Sequence, residues 1–128
     1  MAERGLLDTS VLIAEQVSAL PGQLAISVIS LAELHFGVLV AASAQVRALR
    51  LTRLSRLQRQ FDPLPVDDAV ADSYGQIAAH IAASGRQPRA QTMDLLIAAT
   101  AHVHGATLYT RNLDDFSGLE SFITVVTV

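Results

Sequence analysis

Apolar residues along this chain follow two rhythms. Short apolar runs at 5–7, 24–28, 107–109 and 122–126 read as buried strands. Leu64-Pro65-Val66 is a shorter and weaker run of the same kind. Between them lie longer stretches with apolar positions every three or four residues, at 10–19, 30–42, 44–61, 67–84 and 92–104. These predict helices. Strand–helix alternation of this sort predicts one α/β domain over 1–128, with a mainly parallel central sheet of about five strands and helices on both faces.

The polar punctuation agrees with that reading. Ser30-Leu31-Ala32-Glu33 has the form of a capping box, and Gly85 and Gly105 fall where helices stop. Pro88 and the stretch 85–91 mark a loop. The helix over 92–104 is apolar nearly all round (Leu95, Leu96, Ile97, Ala98, Ala99, Ala101), which predicts burial. The helix over 44–61 differs, because Arg47, Arg50, Arg53, Arg56 and Arg59 recur every third residue. A step of three turns only 300°, so these arginines spiral around the helix and make no single stripe. Arg50 projects near the apolar side formed by Val46, Leu54, Leu57 and Phe61, whereas Arg56 and Arg59 project away.

Composition narrows the chemistry. The chain is 51% hydrophobic and 16% charged, so it can bury a continuous core. It has no cysteine, which removes disulfides, thiolate zinc sites and cysteine nucleophiles together. The four histidines are scattered and make a poor metal set. No apolar stretch reaches the ~20 residues of a membrane span, and the first ten residues do not resemble a signal peptide. A cytoplasmic protein is expected. The net charge is −3, with nine arginines and no lysine. Outside the five-arginine helix stand all 12 acids and only four arginines.

Four of those acids share a position: the end of a strand, or the first turns of the helix that follows. Asp8 ends the first strand, Glu33 lies three residues past Ser30, Asp94 two past Thr92, and Asp115 three past Asn112. Singly, each has an ordinary role as a cap or a helix-dipole partner. Together they point to one crevice, since residues at the carboxyl ends of parallel strands converge there. Two carboxylates ~4 Å apart repel by on the order of 4 kcal/mol at an effective dielectric near 20, so the cluster calls for protons or cations. Oxygen donors without sulfur or imidazole select Mg²⁺ or Mn²⁺, which suit phosphodiester hydrolysis. Thr9, Ser10, Thr110 and Asn112 are placed to orient the carboxylates. Gly37 lies one turn beyond Glu33, on the same helix face. Arg86, Arg89 and Arg111 flank the acids and suit a polyanion.

Other polar residues carry no such signal. Asp67, Asp68 and Asp72 read as the acidic start of a helix. His102 and His104 project ~200° apart, and His35 lies on the wrong side of its helix from Glu33. Tyr74 and Tyr109 are too separated to stack bases.

The blocks Asp8-Thr9-Ser10, Ser30 with Glu33-Leu34 and Gly37, Asp94-Leu95-Leu96-Ile97-Ala98-Ala99-Thr100-Ala101, and Thr110-Arg111-Asn112 with Asp115-Phe116 resemble a PIN domain. More closely, they resemble the VapC-type toxins of bacterial toxin–antitoxin pairs. The likeness runs in order along essentially the whole chain. It implies an Mg²⁺- or Mn²⁺-dependent endoribonuclease that hydrolyses RNA, forms a homodimer and is inhibited by a cognate, VapB-like antitoxin packed in a groove. It implies that Asp8, Glu33, Asp94 and Asp115 form the acidic quartet. Asp114 competes with Asp115, which is preferred because it precedes Phe116. The apolar Val38-Leu39-Val40 is a candidate dimer surface. A non-catalytic PIN-fold interaction module and a receiver-like phosphoacceptor are the alternatives; the latter needs a lysine that this chain lacks. A DNA-directed nuclease also stays open, because no reader of the 2′-hydroxyl stands out.

Overall fold

The computed structural model describes residues 3–14 and 19–128. Four strands form one parallel sheet: β1 (Arg4–Leu7), β2 (Gln23–Ala25), β3 (Thr107–Thr110) and β4 (Val125–Thr127), in the order β2-β1-β3-β4. Five α-helices accompany them: α1 (Thr9–Leu12), α2 (Val28–Leu39), α3 (Ala44–Gln60), α4 (Asp68–Ala83) and α5 (Thr92–Val103). Short 3₁₀ turns at Pro88–Gln91 and Leu113–Phe116 complete the set.

The expected α/β class and parallel sheet are present, with differences in detail. The sheet has four strands, not five. Leu64 makes only a single parallel bridge to Ser27, through Val28 N–H to Leu64 O (2.9 Å) and Leu64 N–H to Ile26 O (2.8 Å). Pro63 and Pro65 flank it without N–H groups, so the run cannot extend a ladder. The second strand stops at Ala25 because Ser27 caps α2, accepting from the N–H groups of Ile29 (3.1 Å) and Ser30 (3.2 Å). Ser30 and Glu33 therefore lie inside the helix and form no capping box. The first helix is one turn, Thr9–Leu12; of the longer helix expected over 10–19, residues 15–18 lie outside those described. The last strand begins three residues later than its apolar run, at Val125.

The main core joins the sheet to α4 and α5 through Leu6, Ile77, Ile81, Leu95, Ile97 and Leu108, all at most 1% exposed. A side chain of that size contributes about 1.5–3 kcal/mol when fully buried. Asp67 caps α4 by accepting from Val70 N–H (3.0 Å), and Asp72 accepts from Gln76, so this acidic start is structural as expected. A second cluster, Leu31, Leu34, Val38, Leu54 and Leu57, holds α3 against α2. On α3, Arg56 and Arg59 face solvent, while Arg50 is half-buried and donates to Gly37 O at 2.7 Å.

Candidate active site

Strand order decides where a site can form. From β1 the chain goes to β2 on one side, and later returns to β3 on the other. The carboxyl ends of β1 and β3 therefore open onto a crevice, the usual ligand position in open α/β sheets.

Asp8 stands at that point, directly after β1. Its N–H continues the sheet by donating to Tyr109 O at 2.9 Å, and its carboxylate is buried, with the residue 4% exposed. Two hydroxyls donate to its Oδ2: Ser10 Oγ and Thr110 Oγ1, each at 2.8 Å. Both hydroxyls are themselves fixed by main-chain donors. Arg111 N–H donates to Ser10 Oγ and Asn112 N–H to Thr110 Oγ1, each at 3.0 Å. Asn112 thus contributes its backbone, and its side chain caps nothing in the 3₁₀ turn that follows. Thr9 faces the other way. It donates to Glu33 Oε1 at 2.7 Å and lies 2.9 Å from Ser30 Oγ. Because α2 starts at Val28, Glu33 sits in its second turn, free of any capping duty and half-buried beside Thr9.

Asp94 is in the first turn of α5 and takes no hydrogen bond from the described residues. Its carboxyl is pushed up to about 6, first by burial and then by the negative charges of Asp115, Asp8 and Glu33. The crevice therefore brings all four expected acids within electrostatic reach of one another. Asp115 is half-buried in the turn Leu113–Phe116, which Phe116 anchors in the core at 2% exposure. Asp114 is exposed, and its charge is not among those acting on Asp94.

The donor set is oxygen only, and no cationic side chain among the described residues is paired with Asp94. Both suit a hard divalent cation. Among the described residues no three acids or histidines already enclose an ion-sized point, so the acids form an open cluster and not a closed cage. Asp8, Glu33, Asp94 and Asp115 are the residues that would hold the ion.

The flanking arginines divide. Arg89, in the turn before α5, and Arg111, directly after β3, are exposed. Arg86, expected beside them against a polyanion, instead donates to Ser117 O (2.7 Å) and Gln91 Oε1 (2.9 Å). Two of the histidines are engaged elsewhere: His102 Nδ1 pairs with Ser73 Oγ at 2.7 Å, and His35 Nε2 lies 3.5 Å from Gln58.

A cavity of about 790 Å³ adjoins the acids, with Thr9, Glu33, Ile13, Phe36, Arg50 and Met93 in its wall. Gly37 lines it too, but a Cβ there would meet nothing within 4 Å, so the space does not depend on that glycine. Sequence reasoning did not single out Ser27 or Gln91, and it read Ser30 as a helix cap where the structure sets it beside Thr9. Ser27 was hidden in an apolar run, and Gln91 in a loop without periodicity.

Comparison with known proteins follows the same geometry. A family model described as PIN domain matches residues 5–120. Ribonuclease VapC5 of Mycobacterium tuberculosis (strain ATCC 25618 / H37Rv) is 39% identical over 127 residues, covering 94% of this chain and 91% of that protein. Among solved structures, a member of the VapBC family of toxin-antitoxin systems, VapBC-5 from Mycobacterium tuberculosis, superposes with a TM-score of 0.83 at 40% identity. The match covers 98% of this chain and 97% of that one. FitAcB from Neisseria gonorrhoeae gives a TM-score of 0.75 at 28% identity, covering 94% and 95%.

Proposed function

Since the chain belongs to the PIN-domain family, we propose that it is the toxin of a toxin–antitoxin pair, an endoribonuclease that hydrolyses RNA phosphodiester bonds with a bound metal. Its relatives are named ribonucleases, and its structural neighbours come from toxin–antitoxin systems. A VapB-like antitoxin is its protein partner. The metal is Mg²⁺ or Mn²⁺, in keeping with an all-oxygen donor set. The whole of 1–128 acts as one PIN domain, at work in the cytoplasm where its RNA would be met. A homodimer is expected of the family. Leu39 and Val40, 73% and 55% exposed, are apolar surface a second copy would cover, whereas Val38 packs inward.

The observation that supports this reading best is the gathering of Asp8, Glu33, Asp94 and Asp115 about one crevice, where burial and then the charges of Asp115, Asp8 and Glu33 push the Asp94 carboxyl up. We assign Asp8 and Asp94 as the principal metal ligands and Glu33 and Asp115 as the other acids. When bound, the ion supplies Lewis acidity, which favours ionised water as nucleophile and neutralises charge on the leaving oxygen. The protein's own task is positioning. Ser10 and Thr110 fix Asp8 by holding Oδ2, which leaves Oδ1 without a donor among the described residues. Thr9 orients Glu33. We assign the exposed Arg89 and Arg111 to grip phosphates flanking the scissile bond.

Cleavage of a labelled structured RNA, with Mg²⁺ or Mn²⁺ and with chelator, beside Asp94→Asn, tests the proposal. Metal-dependent cleavage lost in the variant is expected. Equal cleavage by the variant would remove the ligand assignment. No cleavage together with no divalent binding by calorimetry would replace the enzyme with a non-catalytic interaction module.

A further inference from the structure

The turn that carries Asp115 is held from outside by side chains of a different part of the chain. α4 ends at Ala83 and reverses through Gly85, whose φ is +87°. The paired bonds Gly85 N–H to Ala82 O (3.0 Å) and Arg86 N–H to Ile81 O (3.3 Å) form a Schellman closure, which fixes the point from which Arg86 departs. Arg86 is half-buried. Nη1 donates to Ser117 O at 2.7 Å and Nη2 to Gln91 Oε1 at 2.9 Å. Gln91 Nε2 then donates to Asp115 O at 3.4 Å. His80 Nε2 lies 3.0 Å from Gly118 O. Three main-chain carbonyls of the segment 115–118 are thus gripped by Gln91, Arg86 and His80. Gly118 leaves room for this: its φ is +88°, and a Cβ there would stand 3.2 Å from Arg86 Nη1.

The geometry points to Arg86 as a positioning residue for the metal centre, acting through Gln91 and the 115–118 backbone to set where the Asp115 carboxylate stands. This rests on the proposed role of Asp115 as one of the four acids. Two reasons favour positioning over a direct grip on RNA. Two of the guanidinium's donors are committed to protein acceptors, whereas exposed Arg89 and Arg111 carry no such side-chain bonds among the described residues. A fixed planar fork is also the donor that can tie a carbonyl and an amide oxygen at once, which a lysine cannot reproduce.

The test compares Arg86→Ala, Arg86→Lys, Gln91→Ala and Asp115→Asn with the parent. It uses calorimetry with Mn²⁺ alone and steady-state cleavage of a labelled RNA, with thermal melts to select folded variants. Removing an outer partner of a metal ligand typically weakens affinity or activity by about 10–100-fold. Arg86→Ala is expected to weaken Mn²⁺ binding by about that factor and lower kcat with little change in KM. Arg86→Lys should recover part of it through Ser117 O. Gln91→Ala should fall in the same direction, and Arg86→Ala with Gln91→Ala should be no worse than Arg86→Ala, because both lie on one path. If Arg86→Ala does not fold, Gln91→Ala and Arg86→Lys carry the test. A raised KM with unchanged kcat and Mn²⁺ affinity would overturn the inference and make Arg86 a phosphate grip. If Asp115→Asn itself binds Mn²⁺ like the parent, the assignment of the fourth acid fails instead. If Asp115→Asn weakens binding while Arg86→Ala and Gln91→Ala do not, only the positioning role is lost.

Discussion

The two walls of the crevice carry the same charge and treat it in opposite ways. On the β1–β3 wall, Asp8 is buried but anchored, with two hydroxyls on Oδ2 and those hydroxyls locked by backbone N–H groups. On the α5 wall, Asp94 is left bare, and burial and three neighbouring acids raise its carboxyl to about 6. One carboxylate is built into the fold. The other is held at the fold's expense, a cost that the proposed cation would relieve.

The largest effect should come from the bare wall. Asp94→Asn is expected to lower metal-dependent cleavage by roughly 10²–10³-fold, the scale of losing one preorganised electrostatic group. In chelator above pH 6 the same variant should melt higher than the parent, since a repelled charge is gone. Discounted for solvent screening, the gain is about 1 kcal/mol, or a Tm rise of about 4 °C in a domain of this size. A lower Tm would show that the Asp94 charge is compensated.

On the wired wall the signs should coincide. Thr110→Val removes a donor from buried Asp8 and leaves Asn112 N–H without its partner. It is expected to cost about 1–3 kcal/mol of stability and about tenfold in activity, read by denaturant titration and cleavage rate. Unchanged stability would mean that water replaces the hydroxyl, and that the wiring matters less than its geometry suggests.

Acidity should separate the walls again. A carboxyl whose folded pKa exceeds its unfolded value binds more protons when folded, so its contribution to stability is fully present below about 4 and lost as pH rises through about 6. Metal binding needs the ionised form and runs the other way. Mn²⁺ affinity should therefore fall as pH drops through about 6, while the Asp94 contribution to metal-free stability grows. Both trends should vanish in Asp94→Asn, as followed by calorimetry and melts between pH 5 and 8. The smallest effect is expected at the rim. Asp114→Asn should change the cleavage rate by less than about twofold, because that residue is exposed and does not act on Asp94. A loss as large as that of Asp115→Asn would exchange the two residues.

The helices and the acids were legible in the sequence for different reasons. α4 and α5 declare themselves by apolar periodicity and glycine stops, and their observed bounds lie within a residue of the expected ones. The acids were legible as a group only because the parallel sheet gathers strand ends. Boundaries inside apolar runs were not legible. Ile26-Ser27-Val28 reads as strand, yet Ser27 caps a helix, since one hydroxyl satisfying two N–H groups outweighs a weak edge pairing. Leu64 lost its strand to two prolines that no periodicity weighs. Arg86 was the least legible of all. Its acceptor lies 31 positions away on a main-chain carbonyl, and carbonyls leave no mark in a sequence.

The bond between Thr110 and Asp8 joins residues 102 positions apart, and Asp115 lies further on still. Until residues 107–110 have been made, a growing chain holds Asp8 without the partners that fix it. Its strand β1 has no β3 to pair with before then, and the hydroxyl that fixes Asp8 does not yet exist. The four carboxylates can therefore share one crevice only once β3 and the turn after it have been made.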